Sequence, residues 1–550
     1  MNLKPKLFSV LKNYSKEQFV KDIVAGIIVA IIALPLSIAL ALASGVTPER
    51  GIYTAIVAGF IIAFLGGSRV QVSGPTAAFA TIVGGIVATK GMDGLIIATV
   101  MAGIILIIMG LLKLGTLIKF IPYTITTGFT AGIAVTLLIG QLKDFCGLSV
   151  VSDNGEPIIE TVDKLKYDIK FIDTFNWQAC LIGLLSLAIL ILWPMIKRPK
   201  FLTKIPASLI AVIFGIAAVN GLGLKVNTIG DLYTLSNKLP SLTLPNVTLG
   251  TVRDLLPNAF TIAILAAIES LLSCVVSDSM INSRHNSNME LVALGTGNVF
   301  SALFGGIPAT GAIARTTANV KNGGRTPIAG MVHALVLLLV LVVLMPYAAL
   351  IPMPTIAAIL FMVAYNMSGW RTFVKLCKTA PKSDIIVLVI TFVLTVVFDL
   401  VVAIEVGMLV TCILFIKRMS EETLVKGWKL VDDENDPDSI SLRKVPANTM
   451  VYEISGPMFF GAADKILGIT VSEEMTNLIL RMRSVNAIDS TAINALTTLA
   501  DSCKKNGVRL ILSHVNEQPM NILKKSGLYD RIGAENFADH IDAALARAEE

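Results

Sequence analysis

Between about residue 20 and residue 418 the chain is a succession of apolar runs divided by short polar breaks. Most runs are long enough for a helix to cross a bilayer. The pattern predicts spans at about 22–43, 51–65, 93–112, 121–142, 177–196 and 204–220, with a shorter run, TAAFATIVGGIVA from Thr76, third in order. After a polar connector, spans resume at about 255–279, 289–304, 326–349, 352–366, 384–398 and 400–417. The third run of this second set, 309–320, is again short. Both short runs are flanked by Gly and Pro. Interrupted segments at matching positions in two sets of seven point to a transporter built from inverted repeats, with its site near the bilayer midplane.

The expected division is a cytoplasmic segment 1–19, a first repeat 20–220, a connector 221–254, a second repeat 255–418, a linker 419–448 and a soluble domain 449–550. The fold class expected is an all-α polytopic membrane domain of 14 spans followed by a small α/β domain. Composition agrees: charged residues are 15% of the chain, against about 25% in an ordinary soluble protein, and they concentrate after residue 418. Mean hydropathy is +0.75. The net charge of +6 fits basic loops rather than a nucleic-acid face. Six scattered cysteines lack CxxC or metal-ligand spacing and read as apolar fillers. The first apolar run is too long for a cleavable signal peptide and has no cleavage site.

Charge placement orients this topology. With the basic N-terminus (Lys4, Lys6, Lys12, Lys16) inside, the loops expected in the cytoplasm are all basic. They are 113–119 (Lys113, Lys119), 197–204, 283–285, 320–325 and 371–382. The expected external loop, 143–176, carries Asp144, Asp153, Glu156, Glu160, Asp163, Asp168 and Asp173. This asymmetry follows the positive-inside rule and puts both termini in the cytoplasm.

The stretch Pro308–Pro327 carries the most chemistry. It is a short apolar helix with Gly305-Gly306-Ile307-Pro308 in front, Asn322-Gly323-Gly324 behind and one arginine, Arg315, inside. A charge at membrane depth costs at least about 2.5–3.5 kcal/mol and is usually functional. A free helix N-terminus beside a cation suggests an anion site, with a structural arginine bonded to loop carbonyls as the other reading. The first repeat repeats the design: a polar, β-like connector Ser68–Ser73, then Gly74-Pro75, with proline read as the first helical residue. Thr76, Thr310 and Thr316 offer hydroxyls near these termini. Pro35 interrupts the first span, as helices lining a cavity tolerate. Glu269, a carboxylate deep in AILAAIESLLSCVV, reads as a proton or cation coupling site or as the partner of Arg315 in a buried ion pair. Tyr53, Phe79, Phe129 and Phe361 are candidate cavity walls. Glu405 reads as structural, Asp399 as a turn residue, Lys90, Lys113 and Lys119 as interfacial, and Asn246 begins a chance-level sequon.

In the C-terminal part, MVYEISGPMFF, LILRMRS and RLILSHV read as strands. KILGITVSE, STAINALTTLADSCKK, PMNILKKSGL and FADHIDAALARAEE read as helices, giving a mainly parallel sheet. It holds no nucleotide loop, catalytic dyad or metal cluster, so a binding or regulatory module is expected. Asp489-Ser490-Thr491 sits at a helix start, where Asp or Ser caps free N–H groups and a phosphate on Ser490 or Thr491 would be tolerated.

These motifs together resemble the SulP anion transporters (sulfate permease, solute carrier family 26) over essentially the whole chain. The resemblance rests on ALPLSIALALASGVTPERGIYTA, GGSRVQVSGPTAAF, IPYTITTGFTAGI, AIESLLSCVVSDSM and GGIPATGAIARTTANVKNGGRTPIAG, with EISGPMFFGAADK and AIDSTAINAL marking a STAS domain. GPTAAF, AIESLL and PATGAIART look most like a bacterial branch that imports C4-dicarboxylates with protons. The resemblance implies core and gate domains, a homodimer in a bacterial inner membrane, no cofactor or metal, and no enzyme activity. Substrate would lie between the two short helices, against Pro35, Ser37, Ser73, Gly74, Pro75, Thr76 and Ala77 on one side. Thr310, Gly311, Ala312, Ile313, Ala314 and Arg315 would form the other side, with Glu269 binding a coupling proton or sodium. Animal relatives often carry Ser where this chain has Ala314, so no hydroxyl contact is carried over there. In anti-sigma antagonists the phosphorylated residue corresponds to Thr491, and a cytoplasmic partner at STAS is a further implication. Sulfate or sodium-coupled bicarbonate transport, and anion sensing through STAS, are the competing expectations.

Overall fold

The computed structural model describes residues 3–116, 122–151, 158, 160–196, 205–233, 238–245, 247–398, 400–427, 440, 443–472 and 474–550. Lys119, Asp153, Glu156, the basic 197–204 stretch, Asn246 and Asp399 lie outside them. Two units are distinct, Met1–Met408 and Leu409–Glu550.

Every predicted apolar segment is helical. The helices are Lys16–Ala43, Pro48–Leu65, Ala80–Leu111, Tyr123–Gly140, Trp177–Leu192, Ala207–Leu222, Leu249–Ile281, Ser287–Leu303, Ile313–Lys321, Ile328–Ala348, Met353–Ser368, Lys382–Val397 and Leu400–Glu422. Ala80–Leu111 holds the third and fourth segments, separated at Gly91, whose φ of 67° and ψ of −168° leave the helical region. Among the described residues, seven helices are individually long and apolar enough to cross a membrane. Pro35 does not end its helix, which runs unbroken from Lys16 to Ala43. Lys90 does not simply reach for an interface: it pairs with Asp254 at 3.1 Å, both exposed. Glu405 is exposed.

Both short segments begin later than predicted. Pro75 is not helical: Thr76 precedes a 3₁₀ turn at Ala77–Phe79, and the α-helix starts at Ala80. Thr310 and Gly311 are likewise extended, and their helix starts at Ile313. The reason is backbone pairing. Ser73–Gly74 (β1) and Thr310–Gly311 (β2) form a two-stranded antiparallel ladder, Ser73 opposite Gly311 and Gly74 opposite Thr310. An N–H or C=O used in that ladder cannot also open a helix.

Small residues let helices approach around this crossing. A Cβ on Gly103 would lie 2.6 Å from the Gly295 carbonyl oxygen, and one on Gly295 would lie 2.4 Å from that of Gly103. The Ala80–Leu111 and Ser287–Leu303 helices therefore touch backbone to backbone, the geometry small residues permit in membrane helix packing.

Among the described residues of the second unit, five strands run in the order β3 (Leu424–Gly427), β4 (Thr449–Ser455), β5 (Asn477–Ser484), β6 (Arg509–Ser513) and β7 (Phe537–Ala538). Only the β3–β4 pair is antiparallel. Side-chain alternation sends Leu478, Leu480 and Met482 into one apolar layer and Ile479 into the other, beneath Ile541–Glu549. Glu453 on β4 bonds Arg481 at 3.3 Å and Arg483 at 2.9 Å, which satisfies a buried carboxylate. Two predicted helices are shorter than expected: KILGITVSE is helical only at Ala463–Leu467, and Phe537–Ala538 are strand. Cys503 is buried in the first layer, its thiol pushed up to about 11 by burial, as an inert filler would be.

Gly103→Leu should force the two crossing helices apart and cost about 1–3 kcal/mol by overpacking. A lower melting temperature in detergent is the expected readout. An unchanged melt would mean the backbone contact is not tight.

Candidate substrate site

The site is built around the β1–β2 ladder, and polar side chains hold both strands from behind. Asn298 grips the second connector by accepting from the Ala309 N–H at 2.8 Å and donating to the Ala309 carbonyl at 2.9 Å. Thr54 accepts from the Ile307 N–H at 2.7 Å, and Arg50 donates to the Gly305 carbonyl at 2.9 Å. On the first connector, the Glu290 carboxylate is fully buried and accepts from Gly67 N–H at 2.8 Å, Ser68 N–H at 3.0 Å and Gln71 Nε2 at 2.7 Å. Gln71 Nε2 also donates to Ser270 Oγ at 2.6 Å, one residue from Glu269. Asn319 donates to the Val70 carbonyl at 2.8 Å, and the Ala312 N–H to that of Val72 at 3.0 Å. These bonds meet backbone demands that an apolar surrounding cannot meet.

The C-terminal end of the second short helix has its own anchor. Asp22, fully buried, accepts from Tyr14 Oη at 2.9 Å, Gln18 Nε2 at 2.9 Å, Arg325 N–H at 2.8 Å and Thr326 Oγ1 at 2.6 Å. It ties the first helix to the loop after Lys321.

Arg315 is the third residue of its helix and only 2% exposed. Its Nη2 donates to the Pro75 carbonyl at 3.0 Å, and Nη1 makes no hydrogen bond. The guanidinium lies across the backbone at Gly74, where a Cβ would come within 2.2 Å of Nη1. Gly311 is constrained likewise, since its Cβ would fall 2.3 Å from Gln71 Nε2. Glu269 accepts from Thr76 Oγ1 at 2.9 Å. It makes no ion pair with Arg315, so the buried-pair reading of these two residues is corrected: each bonds the first connector instead. An arginine near a helix N-terminus opposes the helix dipole, so the centre is electropositive on one side, with the Glu269 carboxylate on the other.

The three candidate hydroxyls differ in availability. Thr76 is committed to Glu269, Thr310 donates to the Ala266 carbonyl at 2.8 Å, and Thr316 accepts from the Val72 N–H at 3.1 Å. Ser73 Oγ is buried without a partner. Ala77 is buried near the same centre; Ile313 is exposed, and Ala314 beside it is exposed as well. Pro35 and Ser37 sit one helix away. The Ser37 carbonyl is so close to Gly51 that a Cβ there would lie 2.0 Å from it, and Ser37 Oγ has no partner. Among the aromatics, Phe79 and Phe129 are buried, Phe361 stacks on Phe145 at 4.8 Å, and Tyr53 Oη donates to the Lys238 carbonyl at 2.8 Å. In the C-terminal domain Asp489 is the cap of Ser490–Lys505, accepting from Thr491 and Ala492, and Ser490 and Thr491 are exposed.

Asp22, Asn298 and Glu290 were not singled out from the sequence. Asp22 and Glu290 stand within a turn of predicted span starts, where a carboxylate passes for a cap. Only the fold shows that connectors fold back onto them. Among the described residues no cluster of His, Cys, Asp and Glu could hold a metal ion.

Two interrupted helices that meet through a short antiparallel ladder, with a buried guanidinium at the meeting point, define an anion transporter of the inverted-repeat class. The chain belongs to the sulfate permease family, whose model matches residues 19–391, and a STAS domain follows at residues 440–544. It is similar to the putative sulfate transporter YvdB of Bacillus subtilis, 39% identical over 96% of this chain and 98% of that protein. It is also similar to the bicarbonate transporter BicA of Picosynechococcus, 33% identical over 81% of this chain and 79% of that one. The structure of murine solute carrier 26 family member A9 in the inward-facing state superposes with a TM-score of 0.87. That match covers 100% of this chain and 94% of the murine one at 20% identity, a likeness of fold.

Glu290→Ala would leave three buried donors without their acceptor, at about 1–3 kcal/mol each. The variant should melt well below the parent in detergent, with Glu290→Gln in between. Parental stability in Glu290→Ala would refute the anchoring role.

Proposed function

We propose that the chain is a secondary transporter that moves a small oxyanion, bicarbonate ahead of sulfate, together with a cation by alternating access. The observation that carries this reading is the uncommitted Nη1 of Arg315, held over Gly74 between the starts of the two short helices. Two helix N-termini and a guanidinium attract an anion. Glu269 supplies the coupling. A carboxylate beside an anion repels it unless a proton or sodium ion neutralises the carboxylate first, so anion and cation load together. Ser73, Gly74, Pro75, Thr76 and Ala77 would line one side and Ala312, Ile313, Ala314 and Arg315 the other. The relatives named for bicarbonate and sulfate support the substrate class.

A second reading, proton-coupled C4-dicarboxylate import, is favoured by the GPTAAF, AIESLL and PATGAIART segments. Either way the working form would be a homodimer in a bacterial cytoplasmic membrane, spanning it fourteen times with both termini inside. Ser490 and Thr491 would be the sites for regulatory phosphorylation and for a cytoplasmic partner.

Uptake of labelled bicarbonate, sulfate and succinate into proteoliposomes, with and without inward proton and sodium gradients, tests both readings. Bicarbonate uptake that sodium or protons accelerate is expected. Transport of succinate alone would select the second reading, and uptake of none of the three would sink both. Arg315→Ala should lower uptake about tenfold or more, the equivalent of one charge-assisted hydrogen bond. Glu269→Gln should remove the gradient dependence. Unaltered uptake in Arg315→Ala would leave that residue a purely structural role.

A further inference from the structure

The Leu400–Glu422 helix enters the C-terminal domain through a tight joint. Lys465 Nζ donates to the Ser420 carbonyl at 2.8 Å and the Thr423 carbonyl at 2.6 Å. It thereby caps carbonyls that a helix end leaves free. Thr423 Oγ1 donates to the Pro457 carbonyl at 2.7 Å, and the Ser420 hydroxyl to that of Gly461. Gly456, at a φ of +94°, has room for no side chain: a Cβ would lie 3.1 Å from the Glu422 carbonyl oxygen. One on Gly461 would lie 2.7 Å from Ser420 Cβ. Loop 456–461 is therefore fixed against the last turns of the helix.

That fixed loop displays two adjacent phenylalanines to the outside. Met458 turns into the domain core, whereas Phe459 and Phe460 are 38% and 56% exposed. With Phe415, Ile416 and Met419 of the helix they line an apolar groove. The helix leads into it with an unbroken apolar outer face: Leu409, Ile413 and Ile416 are exposed at spacings of four and three, and Phe415 is 62% exposed. Lys417 and Arg418, both exposed, follow at once. Apolar side chains in register along the helix, with Lys417 and Arg418 at their end and Lys417 paired to Glu421 at 3.8 Å, match the boundary between acyl chains and anionic headgroups.

We propose that this groove is a bilayer-docking surface. Phe459 and Phe460 insert beside Phe415 into the leaflet at which the helix ends, and Lys417 and Arg418 bind the phosphates of anionic lipids there. The STAS domain is then held at a set depth by its own side chains as well as by the chain that tethers it. The partner is a lipid surface, chosen over a second copy of the chain because the stripe is continuous with the apolar outer face of the Leu400–Glu422 helix and ends at two cations.

The test uses the full chain in nanodiscs of phosphatidylglycerol or phosphatidylcholine. Phe460→Trp, and separately Phe459→Trp, add an emitter whose signal is taken as the difference from the parent. Acyl chains brominated near the headgroup should roughly halve that added emission, as expected for a ring 5–10 Å into the boundary. Lys505→Trp, on an exposed helix of the same domain, should respond to aqueous iodide and not to the brominated lipid. Quenching should be stronger in phosphatidylglycerol, and Lys417→Gln with Arg418→Gln should erase that preference. Iodide quenching of both new tryptophans would overturn the proposal by placing the loop in water. Shielding from both quenchers would overturn it in favour of a protein partner such as a second copy. Equal quenching in the two lipids would overturn the headgroup contact.

Discussion

The arrangement turns on four residues of β-ladder, Ser73–Gly74 against Thr310–Gly311. In an apolar interior, backbone that is neither helix nor strand has to find partners within the protein, because no water is there to supply them. Pairing the two connectors with each other answers that demand for their centres. Asn298, Thr54, Asn319 and Glu290 answer it for their flanks. Asn298 and Glu290 have both side-chain polar atoms satisfied by the connectors they hold, so their burial comes at little net cost, whereas Asn319 Oδ1 is left without a partner. One consequence is that the two short helices start at a common point. The candidate substrate site is thus a by-product of the way the interior satisfies its own backbone.

Glycine decides what else fits there. Gly74 leaves the space that the Arg315 guanidinium occupies, and Gly311 leaves the space for Gln71. In each repeat a strand glycine admits a polar side chain that the other repeat or its connector supplies. The two halves are therefore interlocked at the crossing: Arg315 of the second repeat bonds Pro75 of the first, and Thr316 accepts from Val72.

Much of this was legible in the chain. The periodic apolar runs located the helix of each apolar segment, because burial and lipid exposure both demand apolar residues, but the more polar helices Thr161–Lys170 and Trp370–Thr379 fall in stretches read as loops. The paired Gly/Pro interruptions and the lone arginine pointed to two segments that the structure brings together at one ladder. The starting points of the short helices were not legible. A proline after serine carries the local signal of a helix start, and tertiary pairing of the preceding residues overrode it. Asp22 and Glu290 escaped for a related reason: a polar residue near a predicted span start has an adequate local explanation, and its long-range partner is 219 to 304 residues away. In the C-terminal domain alternation marked β4, β5 and β6, while β7, only two residues long, carries too little pattern to be told from the helix that follows.

The separation of Glu269 from Arg315 has the most bearing on how such a site works. Had the two formed a direct ion pair, each would have neutralised the other, and an anion would have needed to break that pair to bind. Instead the carboxylate bonds Thr76 and the guanidinium bonds the Pro75 carbonyl, so adjacent residues of one connector hold both charges. Arg315 Nη1 keeps its N–H groups without a partner, and Glu269, bonded to the same connector, stands apart from it. A shift of the Pro75–Thr76 backbone moves both together. That shared support couples the positions of the two charges without their touching, and it needs no longer pathway than a single peptide unit.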